Sequence, residues 1–227
     1  MKRVLIGAAE EEELICAKQA FNSLDKNLRD GLEVEFFLTG IGTTSTSYRL
    51  TKILNTASDP FDIALNIGIA GSFSPEFPIG SAARIKEEYF GDLGFETFGG
   101  FQTLFDYNIL DADTFPYKNG ALNAPELSPA IERALGSIRY AKAVTVQTVS
   151  GFPEKTERLK AGFSPEIESM EGAAFFYVCL LEKIPFTEIR TVSNEVGERD
   201  RAKWNIPLAL NVLKDSVALF FKGVADE

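Results

Sequence analysis

Four short stretches carry residue types able to do chemistry around a small ligand. Gly7-Ala8-Ala9 runs into four consecutive glutamates, Glu10 to Glu13. A carboxylate placed just after a strand lies at the top of a sheet, where it can take a proton; a solvated acidic helix start has the same composition. Asn66-Ile67-Gly68-Ile69-Ala70-Gly71-Ser72 ends another apolar run in glycines, which let a ligand approach the backbone closely. Glu168-Ser169-Met170-Glu171-Gly172-Ala173-Ala174 sets two carboxylates and a methionine beside small residues, at a strand-to-helix junction. Glu171 there also suits a helix N-terminus on charge alone. Arg190-Thr191-Val192-Ser193-Asn194-Glu195-Val196-Gly197 ends an apolar strand in Ser-Asn, a pattern shared by ligand contacts and by Asx-turns.

What is missing narrows the chemistry. The 227 residues contain no histidine, which excludes Ser-His-Asp and Cys-His catalysis and every histidine-bearing metal site. Acid–base work falls to carboxylates, Lys, Tyr, Asn or water. No GxGxxG follows a strand, so a dinucleotide-binding reading fails, and neither cofactor nor metal is expected. With 23 Lys+Arg against 33 Asp+Glu the net charge is −10, which argues against a nucleic-acid partner. Cys16 and Cys179 form no CxxC and sit in apolar helical patterns, as buried thiols do. No apolar run approaches a membrane span, and Met1-Lys2-Arg3-Val4-Leu5-Ile6-Gly7 is too short for a signal peptide, so a cytoplasmic protein without a membrane partner is expected.

The elements that must position these stretches follow from periodicity. Val4–Ile6, Leu32–Leu38, Ile63–Ile69 and Ser81–Phe90 read as strands. Residues 10–24 and 43–54 carry helical spacing between them. Strand, helix, strand, helix, strand indicates an α/β domain with largely parallel pairing, and one domain over residues 1–227. Glycine turns follow the strand carboxyl ends, where such sheets place their ligands. Residues 91–126, with five phenylalanines and no clean period, read as a long aromatic connection that is functional or covers a partner. Regularity returns with a helix at Ser128–Ser137, strands at Ala143–Val149 and Glu166–Met170, a helix at Glu171–Leu181, a strand at Phe186–Ser193 and a last helix at Ala202–Lys222.

Taken in this order, the four stretches resemble the purine nucleoside phosphorylase/nucleosidase superfamily, most broadly the methylthioadenosine/S-adenosylhomocysteine nucleosidases. Those have a Gly-Ala-Met-Glu-Glu-Glu start, an Asn-x-Gly-x-Ala-Gly strand end, a Met-Glu-x-x-Ala helix start and Arg-x-x-Ser-Asp near the C-terminus. The resemblance implies a three-layer α/β/α fold around a central mixed, partly barrel-like sheet. It implies a small-molecule nucleoside substrate and a homodimer or larger homo-oligomer. Glu12 aligns with the carboxylate that activates water, although Glu10, Glu11 or Glu13 can absorb a register shift of one. Glu171 aligns with the carboxylate that holds the ribose hydroxyls, and Met170 with the residue packed on the sugar. Ile69, Ala70 and Gly71 fall against the substrate. Arg190 matches an arginine near the water, or forms a structural ion pair. Phe152 is the candidate for stacking on the purine, with ordinary apolar packing as the alternative.

One departure is informative. Where adenine-cleaving members have Asp, this chain has Asn194, followed by Glu195-Val196-Gly197-Glu198-Arg199-Asp200-Arg201-Ala202-Lys203-Trp204. That tail, with Glu87–Glu96 and Thr145–Gly151, is similar to the futalosine hydrolases, which release hypoxanthine from futalosine on a route to menaquinone. Chemistry supports the change: hypoxanthine presents O6 and N7, both acceptors, and an Asn amide donates where an ionised Asp only accepts. Futalosine also carries an aryl carboxylate on its 5′ side, which Arg199, Arg201 and Trp204 suit; a charged helix start with Trp204 in the core is the plainer reading of that cluster, and the better one for Lys203. Residues 7–13 and 66–74 hold no Lys or Arg, so water is favoured over phosphate as acceptor; Thr43, Thr44 and Arg49 are the thin support for an anion. A silent nucleoside-binding sensor on the same fold is the non-enzymatic alternative.

Overall fold

The computed structural model describes all 227 residues. In chain order the elements are β1 (Lys2–Ala8), α1 (Glu11–Asn22), α2 (Lys26–Asp30), β2 (Leu32–Leu38), α3 (Thr43–Thr56), β3 (Ile63–Ser72) and β4 (Ala82–Phe90). A small hairpin, β5 (Gly94–Thr97) with β6 (Gly100–Thr103), and the short strands β7 (Tyr117–Lys118) and β8 (Ala121–Asn123) come next. Then follow α4 (Pro129–Ala134), β9 (Arg139–Thr145), α5 (Pro153–Phe163), β10 (Ile167–Ser169), α6 (Gly172–Glu182), β11 (Phe186–Glu195) and α7 (Ile206–Ala225).

β1 alternates its side chains between two cores, as a strand covered on both faces must. Val4 and Ile6 pack with Leu65, Ile67 and Ile189 against α1 and α7, where Leu14, Ala17, Leu213, Val217, Phe220 and Phe221 are buried. Leu5 faces the other way, with Ala64, Ala83, Ile85 and Ala143, onto Leu50 of α3 and Ala173, Phe175, Phe176 and Cys179 of α6. The result is helices on both sides of a mixed sheet. The sheet also closes: β3 pairs β10, β10 pairs β9, β9 pairs β4, β4 pairs β11, and β11 pairs β3.

One edge of β3 is shared between two partners. β1 pairs it in parallel as far as Ile67, and β10 pairs it antiparallel from Gly71. Gly68, Ile69 and Ala70 lie between, without a strand partner on that edge, and the candidate site opens there.

Several boundaries differ from the sequence expectation. The last helix begins at Ile206, not Ala202, because Pro207 is tolerated only in a first turn; Asn205 caps it by accepting the Leu208 N–H, and Arg201–Lys203 form one separate 3₁₀ turn. β9 ends at Thr145, four residues short of the expected Val149, since Gln147 N–H turns away to Asp92. The helix expected at Ser128–Ser137 is shorter, Pro129–Ala134. α5 has no counterpart in the sequence reading: Leu159 is its one buried residue, so no apolar stripe announces it. The 91–126 connection contains the β5–β6 hairpin, and β8 extends the main sheet along β4. Both cysteines are free and buried. No helix is long and apolar enough to cross a membrane.

Candidate active site

A cavity of about 510 Å³ lies over the gap in β3. Its wall includes Glu13, Ile69, Ala70, Gly71, Met170, Glu171 and Asn194, contributed by α1, β3, the β10–α6 junction and β11. Residues widely separated in the chain therefore meet in one concavity.

The carboxylate held at the bottom is Glu13, not Glu12. Glu13 Oε1 accepts the Ile69 N–H at 2.9 Å, which is free because the strand pairing lapses there. Its Oε2 accepts the N–H groups of Ala9 and Glu10 at 3.2 and 3.1 Å, the unpaired donors of a helix start. Glu12, one position earlier, turns 100° around the helix and stands exposed at the cavity rim. The signal was present in the sequence: the buried stripe Leu24, Ala20, Ala17 extrapolates back by four to position 13. Burial pushes the Glu13 carboxyl above the usual range, and the Glu171 charge adds to this; the Ile69 and Glu10 N–H groups and Arg190 oppose it. A raised carboxyl pKa suits a group that exchanges protons near neutrality.

Behind the cavity lies a buried charge array. Arg190 Nε donates to Glu188 Oε1 at 2.7 Å and its Nη1 to Glu171 Oε2 at 3.3 Å. Glu171 Oε1 accepts the Gly42 N–H at 3.0 Å, at the start of α3. Burial disfavours the Arg190 charge, yet Glu188 and Glu171 outweigh it and keep the guanidinium protonated. Arg190 is thus a buried ion-pair partner beneath the wall, not part of the wall itself. Its position depends on Gly68, the residue paired with it across β3 and β11: a Cβ there would stand 2.3 Å from Nη1. Deeper still, Glu88 accepts the Thr145 hydroxyl at 3.0 Å, while its other oxygen has no partner. Burial, then the Glu188 charge, pushes the Glu88 carboxyl well above its ordinary value.

Asn194 owes its direction to a bulge. The β3–β11 register shifts between Val192 and Asn194, so Asn194, not Ser193, comes opposite Gly71. Such a bulge re-aims a side chain at a strand end. Asn194 Nδ2 donates to the Glu195 carbonyl at 2.8 Å, and Oδ1 accepts the Ser193 hydroxyl at 2.8 Å. This fixes the amide and leaves one N–H of Nδ2 uncommitted.

Phe152 does not stack in the cavity. It is 74% exposed and caps α5 from an extended conformation imposed by the following Pro153. Val149 and Ser150 line the wall in its place, and Ser150 is tied inward by donating both its N–H and its hydroxyl to Glu168. Glu168 and Ser150 are wall residues that the sequence reading gave no role. Arg199, Arg201 and Trp204 line the mouth. The two guanidinium carbons stand 5.0 and 5.9 Å from the indole centroid, and neither arginine forms an ion pair, whereas Lys203 is taken by Glu198 at 2.6 Å. Arg49, exposed, donates to the Leu38 carbonyl outside the wall.

Fold and site together describe a nucleoside-processing α/β enzyme class, and the chain belongs to the phosphorylase superfamily, whose family model matches residues 22–223. Within it the chain is 32% identical over 179 residues to a futalosine hydrolase of Thermus thermophilus, covering 79% of this chain and 77% of that one. It is 35% identical over 159 residues to a futalosine hydrolase of Streptomyces coelicolor, spanning 70% of this chain and 64% of that protein. In fold it is similar to a 5′-methylthioadenosine/S-adenosylhomocysteine nucleosidase of Neisseria meningitidis in complex with methylthio-immucillin-A, with a TM-score of 0.78 over all of both chains at 17% identity. A futalosine hydrolase mutant of Helicobacter pylori gives a TM-score of 0.77 over all of both chains at 16% identity.

Proposed function

We propose that this protein hydrolyses the N-ribosidic bond of futalosine, giving hypoxanthine and dehypoxanthine futalosine, as a step toward menaquinone. The observation that carries the reading is the convergence of Glu13, Glu171 and Asn194 on one cavity, in a chain similar to futalosine hydrolases. Water attacks the anomeric carbon and loses a proton to Glu13. The bond to the purine nitrogen breaks, and its electron pair leaves with the base, which then takes up a proton. Glu171 holds the ribose hydroxyls, and the carboxylates around the sugar stabilise the positive charge that develops on it. Met170 packs on the ribose, and Ile69, Ala70 and Gly71 form the floor.

Asn194 donates its uncommitted N–H to O6 or N7 of the departing base. An ionised Asp at this position would set a carboxylate against the Glu195 carbonyl, so the amide suits both its neighbour and a 6-oxopurine. Arg199 and Arg201, held against Trp204 without forming an ion pair, receive the aryl carboxylate. Water is the acceptor because the one cation beneath the wall, Arg190, is already engaged by Glu171 and Glu188. The working unit is a homodimer or larger homo-oligomer: Leu93, Phe95, Phe98, Tyr107, Ile109 and Phe115 expose apolar surface on the 91–126 connection.

The test is product analysis of the purified protein with futalosine, inosine and methylthioadenosine, each with and without phosphate. Phosphate-independent release of hypoxanthine from futalosine is expected. Adenine release alone, or a requirement for phosphate, defeats the proposal.

A further inference from the structure

Behind the cavity the Arg190 guanidinium shares a buried region with the carboxyls of Glu13, Glu88, Glu171 and Glu188. The bond cleavage described above uses Glu13 and Glu171 and gives Glu88 and Glu188 no task. Strand geometry brings these two together. Glu188 and Arg190 are two residues apart on β11, so they share one face, and they pair with Asn66 and Gly68 of β3. On β4 the pairing with β9 shifts between Ile85 and Glu87; Glu88 then lies fully inside, while Glu87 reaches Lys142 at the surface. Glu88 Oε1 and Glu188 Oε1 face the same small space at the start of α6, since a Cβ on Gly172 would stand 1.9 Å from the first and 2.8 Å from the second.

Charge and hydrogen bonds decide how this cluster is protonated. Four ionised carboxyls around one guanidinium would leave most of the buried negative charge unbalanced, and a retained proton relieves this. Glu13 accepts three backbone N–H groups. Glu171 accepts Arg190 Nη1 and the Gly42 N–H. Glu188 accepts Arg190 Nε at 2.7 Å and Asn66 Nδ2 at 3.0 Å. Of the four, only Glu88 has an oxygen, Oε1, that no donor reaches; its Oε2 accepts the Thr145 hydroxyl. We infer that Glu88 carries a proton on Oε1 and donates it to Glu188, and that the two form a positioning pair that holds Arg190 and, through it, Glu171. The groups facing the pair from other elements are Asn66 of β3, Thr145 of β9 and the Cys179 thiol of α6, which burial keeps neutral; Glu171 and Glu13 lie beyond Arg190. The consequence for the ribose rests on the nucleoside reading of Glu171 given above, whereas the shared proton does not.

The experiment has a spectroscopic arm and a binding arm, both on the full-length protein. At about pH 8, where ordinary glutamates are ionised, the infrared spectrum of the wild type in heavy water is expected to keep a carboxylic C=O stretch that Glu88→Gln lacks. No such band in the wild type, or the same band in the variant, overturns the shared proton. In the binding arm, Glu188→Gln frees Arg190 from its second partner, and kcat/KM for futalosine is expected to fall roughly 10- to 100-fold, as a displaced positioning group costs. The calorimetric Kd for hypoxanthine, which has no ribose, should stay nearly unchanged. An equal loss on both ligands, or no loss on futalosine, overturns the positioning role. If Glu188→Gln fails to fold, Glu88→Leu makes the same comparison against Glu88→Gln: the leucine cannot donate to Glu188 and should lose futalosine selectively, whereas the glutamine amide can donate and should not. A protein that shows the Glu88 band but leaves futalosine intact would defeat the proposed reaction and keep the shared proton. Futalosine cleavage without the band would do the reverse.

Discussion

Glu12 and Glu13 are chemically identical neighbours, and only their helical phase separates them. Glu13 receives three backbone N–H groups and is buried; Glu12 stands in solvent. Glu13→Gln is therefore expected to lower kcat for hypoxanthine release by about 10²- to 10⁴-fold, the usual range for a lost general base. Glu12→Gln should stay within about threefold of wild type, as exposed substitutions do. Steady-state assays of both variants decide the assignment, and the reverse pattern would return the role to Glu12. The raised Glu13 carboxyl also sets a pH dependence. The base works when ionised, so kcat should fall on acidification through a pKa above that of a free glutamate, and this limb should vanish in Glu13→Gln. Asn194→Asp should cost activity on 6-oxopurine nucleosides more than on adenosine-type ones; equal losses would count against base reading by the amide.

At the scale of elements, what was legible in the sequence is what local rules control. β2, β3, β4, α1, α3 and α6 fall within a few residues of their apolar patterns, because each buries a regular stripe or a continuous run. The superfamily resemblance placed Glu171, Met170 and Asn194 on the wall for the same reason: they end such elements. Phe152 misled, since an aromatic beside a glycine says nothing of direction, and Pro153, which opens α5, holds it extended and outward. Glu168 was legible as one of two carboxylates at its junction, but its tie to Ser150 on the wall joins segments that no local pattern connects. The register also makes demands on glycine. A Cβ at Gly172 would meet Glu88 Oε1 at 1.9 Å and Glu188 Oε1 at 2.8 Å, so α6 can begin against the buried carboxylates only with hydrogen there. Gly172→Ala is expected to cost roughly 1–3 kcal/mol, as overpacking of a tight interior does, and a denaturant titration measures it. A value near zero would mean that Glu88 and Glu188 shift freely.

The Glu88–Glu188 pair acts on the stability of the whole molecule. The native pKa of Glu88 lies well above the ordinary glutamate value, with burial the first cause and Glu188 the second. Between the two values the native state keeps a proton that the unfolded chain has released, so stability falls as pH rises through that window. Glu88→Gln mimics the protonated form and escapes the loss. Its melting temperature should exceed that of wild type by a margin that grows from pH 5 to pH 8; a margin that shrinks over that range would refute the assignment.

Net charge sets a second problem at this scale. A chain of −10 repels an anionic substrate at long range, and the charge around the cavity bottom is acidic as well. Arg199 and Arg201 at the mouth, held against Trp204 without an ion pair of their own, are the cations placed to offset this. If they receive the aryl carboxylate, replacing both with Ser should raise KM for futalosine about 10-fold or more, and leave inosine, which lacks that group, nearly unchanged. Ionic strength should separate the two substrates in the wild type. Raising it from about 0.01 M to about 0.15 M shortens the Debye length from about 30 Å to about 8 Å, weakening the distant repulsion more than the close contact. The kcat/KM for futalosine should then rise or hold in the wild type, while inosine stays flat. In the double variant, where only the repulsion remains, added salt should help futalosine by a larger factor. An identical salt response for both substrates and both proteins would show that the mouth arginines play no part in holding the charged end.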